Sequence, residues 1–192
     1  MGILSERIKG VKNLFHMSLG QRHVEICPKL KGELFIKAYE AGKLVYEYQH
    51  SNIIVNSASI LIARLLKDNT EPAAGISYLA TGSGNASWDM FDPPAPSTSQ
   101  TRLENEFYRK AIDFSTFVHP ETGEPTTTCT NIVDYSVTFG ESEAVGPIVE
   151  MGLFGGDATA ELTTGTMINW RTFPVVNKTS SMTLTVIFRI TA

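Results

Sequence analysis

The sequence has 192 residues, of which 42% are hydrophobic and 19% are charged. This length suffices for one domain with a sizeable core, and the composition excludes a disordered chain. No stretch approaches the roughly 20 unbroken apolar residues of a bilayer span, and a net charge of −4 argues against nucleic-acid binding. The charge is uneven, because residues 1–31 hold six Lys or Arg and two acids, whereas the rest hold ten and eighteen. We therefore expect a basic N-terminal arm (1–31) and a domain (32–192).

The N-terminal arm carries apolar residues at helical spacing. They are Ile3, Leu4, Ile8, Val11, Leu14 and Phe15. An amphipathic segment of this kind needs a surface to lie against. Two interpretations are open: the arm docks on a neighbouring subunit, or it packs on its own domain.

From residue 32 onward the apolar pattern changes to a period of two. This alternation predicts a β-hairpin over residues 33–48 that turns at Gly42. A further short strand is expected at 52–55. The next segment, 58–67, is predicted to be a helix, and because it is apolar almost all round we expect it to be buried on more than one side.

A Pro- and Ser-rich loop at 85–100 follows a predicted strand at 76–81. Loops of this length commonly have a function or bind a partner. The loop carries two large apolar residues, Trp88 and Phe91. Either these aromatic side chains fold back over their own domain, or they insert into a neighbouring subunit.

The remainder of the chain has the pattern of short strands separated by Gly and Pro turns. In the last strand, the side chains alternate between two faces almost without exception. The fold is therefore predicted to be mainly β: an antiparallel β-sandwich with one buried helix and an extended or helical N-terminal arm. The further strands are expected at 112–118, 126–139, 147–154, 166–173 and 182–191.

The sequence contains no recognisable catalytic or metal-binding pattern. Its four histidines and two cysteines lack the spacing of a ligand set. No phosphate loop and no nucleophile motif is found. We therefore predict no enzymatic activity, no cofactor and no metal site.

The charged segment 101–110 offers candidate ion pairs. Glu104 and Glu106 lie close to Arg109, which could form an Arg–carboxylate clamp within one subunit or between subunits. We assign Arg109 to a subunit interface, together with Trp88, Phe91 and the apolar residues of the arm. Glu150 lies between apolar neighbours, so it either faces solvent or pairs with a base such as Arg109.

Four segments, in this order, carry a resemblance to a known group. They read NIIVNSASILIARLL (52–66), ISYLATGSG (76–84), TRLENEFYRK (101–110) and EMGLFGG (150–156). Followed by a C-terminal strand, they are similar to the β-rich structural proteins of tailed bacteriophages. That resemblance implies a virion protein of the tail, baseplate or fibre-attachment apparatus, which is assembled in the host cytoplasm. Its partners would be further copies of itself and other virion proteins, with no catalytic residues.

Two alternatives accompany this function. A capsid decoration or cement protein would place the basic arm on the shell. A carbohydrate-binding module for host recognition would stack Trp88, Tyr108 and Trp170 on sugar rings, although the position of Trp170 in an alternating strand favours the core.

Overall fold

The computed structural model describes residues 29–67 and 74–192, so the assignments at Ile3, Leu4, Ile8, Val11, Leu14 and Phe15 lie outside the described residues. These two described ranges form ten β-strands and one α-helix. In chain order they are β1 (Lys31–Glu40), β2 (Lys43–Ile54), α1 (Ala58–Lys67), β3 (Ala74–Gly82), β4 (Glu106–Ala111), β5 (Phe114–Val118), β6 (Pro125–Thr126), β7 (Ile132–Phe139), β8 (Gly146–Gly156), β9 (Thr166–Lys178) and β10 (Met182–Thr191). The mainly β class with one helix is confirmed.

The strands form one antiparallel sheet in the order β4-β3-β8-β9-β2-β1-β10-β7-β5-β6. β2 joins its two halves, because it pairs with β1 along residues 43–52 but with β9 only at Ile53 and Ile54. One hydrophobic core contains residues from both halves. The sheet therefore folds over on itself, which gives the sandwich-like packing that the short, alternating strands predict.

The core lies between the two halves of this sheet. One face of β10 supplies a row of buried side chains, which confirms the alternation predicted for the last strand. Burial of each large aliphatic or aromatic side chain contributes about 1.5–3 kcal/mol, so this row and its partners hold the halves together. The fully buried residues include Leu184, Val186 and Phe188 from β10, Met151 and Leu153 from β8, and Phe173 from β9.

The β1–β2 hairpin confirms the predicted turn. Ala41 and Gly42 both have positive φ, 48° and 76°, as the favoured two-residue hairpin turn requires. The strand expected at 52–55 is the end of β2 and not a separate element.

Helix α1 begins and ends where the sequence predicts, but the expected burial on more than one side is wrong. Ala58 and Leu61 are buried, whereas the exposed fractions of Ile60, Ile62 and Leu65 are 58%, 40% and 48%. The reason is the position of the helix, which contacts β9 and β3 and places only Ala58 and Leu61 in the core. Among the described residues, no helix is long and apolar enough to span a bilayer.

The long strand predicted at 126–139 is interrupted. β6 ends at Thr126 and β7 begins at Ile132. Between them the Thr130 hydroxyl accepts the backbone N–H of Ile132 at 3.2 Å and donates to the Val118 carbonyl at 2.9 Å. These side-chain bonds to the backbone replace the strand pairing there.

Candidate functional site

The Glu150 carboxylate lies fully buried on β8. Its Oε1 accepts the backbone N–H groups of Gly84 at 3.2 Å and Asn105 at 3.0 Å. Its Oε2 accepts the backbone N–H of Glu104 at 3.2 Å and the indole N–H of Trp170 at 3.0 Å. Burial raises the pKa of Glu150, and the hydrogen bonds oppose that rise. Neither expected position, solvent-facing or paired with Arg109, is correct.

Glu150 joins three segments that are far apart in the chain. The turn after β3, the segment before β4 and strand β9 all donate to one carboxylate. The end of β3 is correspondingly a glycine, since a Cβ on Gly82 would collide with the carboxylate. With no exposed surface, Glu150 organises the backbone around it and is inaccessible to a substrate.

Arg109 forms the internal version of the predicted clamp. Its Nε and Nη2 donate to the two carboxylate oxygens of Glu106 at 2.7 and 3.0 Å, and neither side chain is exposed. The guanidinium also lies over the Phe154 ring, 4.5 Å from its centroid. Because the side chain is enclosed by its own subunit, the assignment of Arg109 to a subunit interface is wrong.

The Arg109–Glu106 pair fixes the loop between β8 and β9. Arg109 Nη1 donates to the carbonyls of Thr159 at 3.2 Å and Thr164 at 2.7 Å. Glu106 Oε2 accepts the backbone N–H of Thr163 at 3.1 Å. Both charges of the pair are thus used to hold a surface loop.

Trp88 folds back onto its own domain. Its ring packs against Trp170 with 6.4 Å between centroids, and Trp88 belongs to the smaller of the two buried clusters as a half-buried member. Trp88 therefore covers the sheet of its own domain, which is the first of the two interpretations that the sequence left open. Trp170 itself is 3% exposed, so it cannot stack on a sugar ring.

The rest of the Pro-rich loop runs along the edge of β9. The Val175 N–H donates to the Met90 carbonyl at 2.8 Å. The Thr172 hydroxyl donates to the Pro94 carbonyl at 2.7 Å. The first bond satisfies a backbone N–H at an edge that would otherwise be open, and the second ties the loop to a side chain of the same strand.

Phe91 is the most exposed large apolar residue of this loop, because its side chain is 77% exposed. The backbone on either side is fixed: the Phe91 N–H donates to Asp89 Oδ1 at 2.9 Å, and the Asp92 N–H donates to the Asp89 carbonyl at 3.2 Å. We call residues 89–92 the acidic tip. It presents an aromatic ring between two carboxylate residues.

A second apolar surface lies beside α1. It is a groove between the first described residues and the helix, which we call the α1 groove. Its lining consists mainly of aliphatic side chains with two uncharged polar ones, and among the described residues it contains one lysine and no carboxylate. The residues are Lys29, Leu30, Ile54, Val55, Asn56, Ala58, Ser59 and Ile62.

A polar cleft lies near Glu104, between residues 99–106 and Thr163. Its lining includes Gln100, whose Nε2 donates to Glu104 Oε1 at 2.9 Å. Among residues 29–67 and 74–192, no group of three or more His, Cys, Asp or Glu is arranged to hold a metal ion.

The sequence interpretation identified Phe91 but missed the α1 groove and the buried role of Glu150. The run of apolar residues in 58–67 was the available signal for the groove, and it was interpreted as burial. No known family model matches the sequence, and no curated protein is significantly similar to it.

Proposed function

We propose that the protein is a non-enzymatic structural subunit of a tailed-bacteriophage particle, in the tail, baseplate or fibre-attachment apparatus, and that it acts by subunit–subunit assembly. The observation that carries the proposal is the exposed Phe91 ring on a fixed backbone. A large aromatic side chain on a fixed backbone has the form of the anchor residues that dominate protein–protein interfaces. The phage assignment comes from the resemblance of the four sequence segments.

The buried charged residues support this interpretation. Glu150 and the Arg109–Glu106 pair are enclosed, and their hydrogen bonds hold the turn after β3 and the loop between β8 and β9. Polar groups satisfied in this way make a rigid body. A rigid subunit with fixed loops suits an assembly in which the same contact is repeated.

The charge distribution supports it as well. The arm at 1–31 is basic and the remainder of the chain is acidic. Opposite charges on the two parts favour contacts between copies, or between this chain and another acidic virion protein. Such contacts weaken as salt screens them.

Sedimentation velocity over a range of protein and salt concentrations tests the proposal. We expect a defined oligomer with closed symmetry at low salt and dissociation at high salt. A protein that stays monomeric at every concentration would contradict the proposal.

Antibody labelling of purified particles separates the two virion locations. Label at the tail, baseplate or fibre attachment supports the proposed function. Label over the capsid surface would instead establish the decoration or cement alternative.

A further inference from the structure

We propose that the acidic tip of one copy docks into the α1 groove of a second copy, so that subunits associate head to tail. The inference rests on the proposed function, since it names the contact through which an assembling subunit would bind its neighbour. Phe91 is the anchor and the apolar residues of the groove receive it.

The backbone of the acidic tip is held by hydrogen bonds before any partner binds. The hydrogen bonds from the Phe91 N–H to Asp89 Oδ1 and from the Asp92 N–H to the Asp89 carbonyl fix the backbone before and after the ring, and the Val175 N–H holds the Met90 carbonyl. Trp88 anchors the start of the tip on Trp170. Because little conformational freedom is left to lose, more of the burial energy of the Phe91 ring is available for association.

The α1 groove has the matching chemistry. Leu30, Ile54 and Ile62 give it an apolar lining, and Lys29 is its charged residue. The acidic tip places Asp89 and Asp92 on either side of the aromatic ring. An aromatic anchor flanked by carboxylates therefore meets aliphatic side chains beside a cation, so the two surfaces are complementary in polarity and in charge.

The tip and the groove of one copy are far apart on the sheet. Ile54, in the groove, pairs with Asn169 on β9. The tip is bound six residues further along the same strand, at Val175, and six residues of β-strand extend about 20 Å. Since the two surfaces do not overlap, a head-to-tail contact leaves one free tip and one free groove on each pair, so its repetition generates a ring or a filament.

The N-terminal arm of the same chain is the main competing occupant, because the described chain begins at Lys29 in the groove. Its charge argues against it. Residues 1–28, the part of the arm before the groove, carry four Lys or Arg against two acids, the same sign of net charge as Lys29, whereas the acidic tip has the opposite sign.

Complementation between two variants tests the head-to-tail contact. Phe91→Ala removes the anchor, and Ile62→Glu places a carboxylate in the groove. Each variant alone should lose at least about tenfold in association, as expected for an aromatic anchor. When mixed, they should form a one-to-one dimer that does not grow, because the pair retains one intact tip and one intact groove.

Phe114→Ala is the matched control, since Phe114 is also exposed, at 61%, but lies on β5. It should assemble as the unaltered protein does. Circular dichroism checks whether Ile62→Glu is folded. If that variant is unfolded, Phe91→Ala alone still tests the contact.

The outcomes separate this inference from the proposed function. If the unaltered protein forms oligomers and Phe91→Ala leaves them unchanged, the tip–groove contact is wrong while the assembly function stands. If the unaltered protein is monomeric throughout, the proposed function itself fails.

Disulfide trapping decides between the two occupants. In a Cys27→Ser, Cys129→Ser background, a chain with Phe91→Cys and a chain with Ile62→Cys should cross-link to each other. In the same background, a chain carrying Leu14→Cys and Ile62→Cys together would form an internal disulfide if its own arm filled the groove, and that result would overturn the proposal.

Discussion

The carboxylate of Glu150 accepts the indole N–H of Trp170 at 3.0 Å, between neighbouring strands of the sheet. The same indole ring packs against Trp88 of the Pro-rich loop. A buried carboxylate therefore orients the aromatic residue on which the loop rests. Its other donors are backbone N–H groups, so the negative charge is dispersed over dipoles.

Replacement of Glu150 by Ala should strongly destabilise the fold. The change leaves four N–H groups without their acceptor in a buried position, and each such loss costs about 1–3 kcal/mol before any relaxation. We expect a net loss of about 3–5 kcal/mol in the free energy of unfolding, measured by urea denaturation.

Glu104→Ala is the control for this measurement. Glu104 lies in the segment before β4, whose backbone also binds Glu150, but its own side chain is exposed. That side chain accepts a hydrogen bond from the Gln100 amide. Its replacement should change stability by less than about 0.5 kcal/mol. Equal losses for the two variants would contradict the structural role given to Glu150.

The strands were predictable where the side chains alternate strictly. In β10, one residue in two is buried, and a period of two has only one structural explanation. The partners of Glu150 were not predictable, because three of its four donors are backbone N–H groups, up to 66 residues away. A backbone N–H has no residue type, so it leaves no pattern in the sequence.

The residues of α1 and Arg109 show a different limit. Apolar composition in 58–67 predicted a helix correctly but not how many of its sides would be covered, which depends on where the helix lies on the sheet. The spacing of Glu106 and Arg109 predicted a clamp. Whether it closes within a subunit depends on the loop at 157–165, whose carbonyls complete the site.

Arg109→Met should be among the most destabilising single changes. It leaves the Glu106 carboxylate buried without its cation, which typically costs about 3–5 kcal/mol. The double variant Arg109→Met, Glu106→Leu should recover part of this loss, because no buried charge remains. Urea denaturation measures stability, and limited proteolysis should show new cleavage in the loop at 157–165.

Arg189→Met provides the comparison for a less buried pair. Arg189 Nε lies 2.8 Å from Asp134 Oδ1, and the two side chains are 22% and 12% exposed. Solvent reaches this pair more than it reaches Arg109 and Glu106, so the loss of its charged hydrogen bonds should cost less than Arg109→Met, about 1–3 kcal/mol. A cost as large as that of Arg109→Met would argue against burial as the cause of the difference.

Gly84→Ala should destabilise more than Gly42→Ala, although both glycines have positive φ, 68° and 76°. The left-handed backbone costs any L-residue about 1–2 kcal/mol at either site. At Gly84 a Cβ would also lie 2.6 Å from the Trp88 ring and 2.7 Å from Val149, whereas nothing lies within 4 Å at Gly42.

The difference between these two variants isolates the steric part. Overpacking of this kind adds about 1–3 kcal/mol, so we expect the Gly84 variant to lose that much more in urea denaturation. The fluorescence of Trp88 should also change, because its ring must move. Equal losses would mean that the Trp88 ring moves aside without lowering the free energy of unfolding.

The last prediction concerns pH and the carboxylate of Glu143. Its Oε2 lies 2.8 Å from Lys110 Nζ and accepts the Gly140 N–H at 2.8 Å. The hydrogen bond from Lys110, with that from Gly140, lowers the pKa of Glu143 below its ordinary value of 4.5. The folded state therefore holds the proton less tightly than the unfolded state does. Ionised Glu143 thus stabilises the fold above pH 4.5, and this contribution is lost as the pH falls through the lower, folded pKa.

Urea denaturation of the unaltered protein and of Glu143→Gln, from pH 7 down to pH 3, measures this contribution as a difference. The unaltered protein should be the more stable at pH 7, and the difference should shrink progressively below pH 4.5. Glu124→Gln, at an exposed position in the β5–β6 turn, should show no comparable trend. A Glu143 difference that stays constant down to pH 3 would exclude this ion pair as its source, because a protonated carboxyl cannot keep its attraction to Lys110.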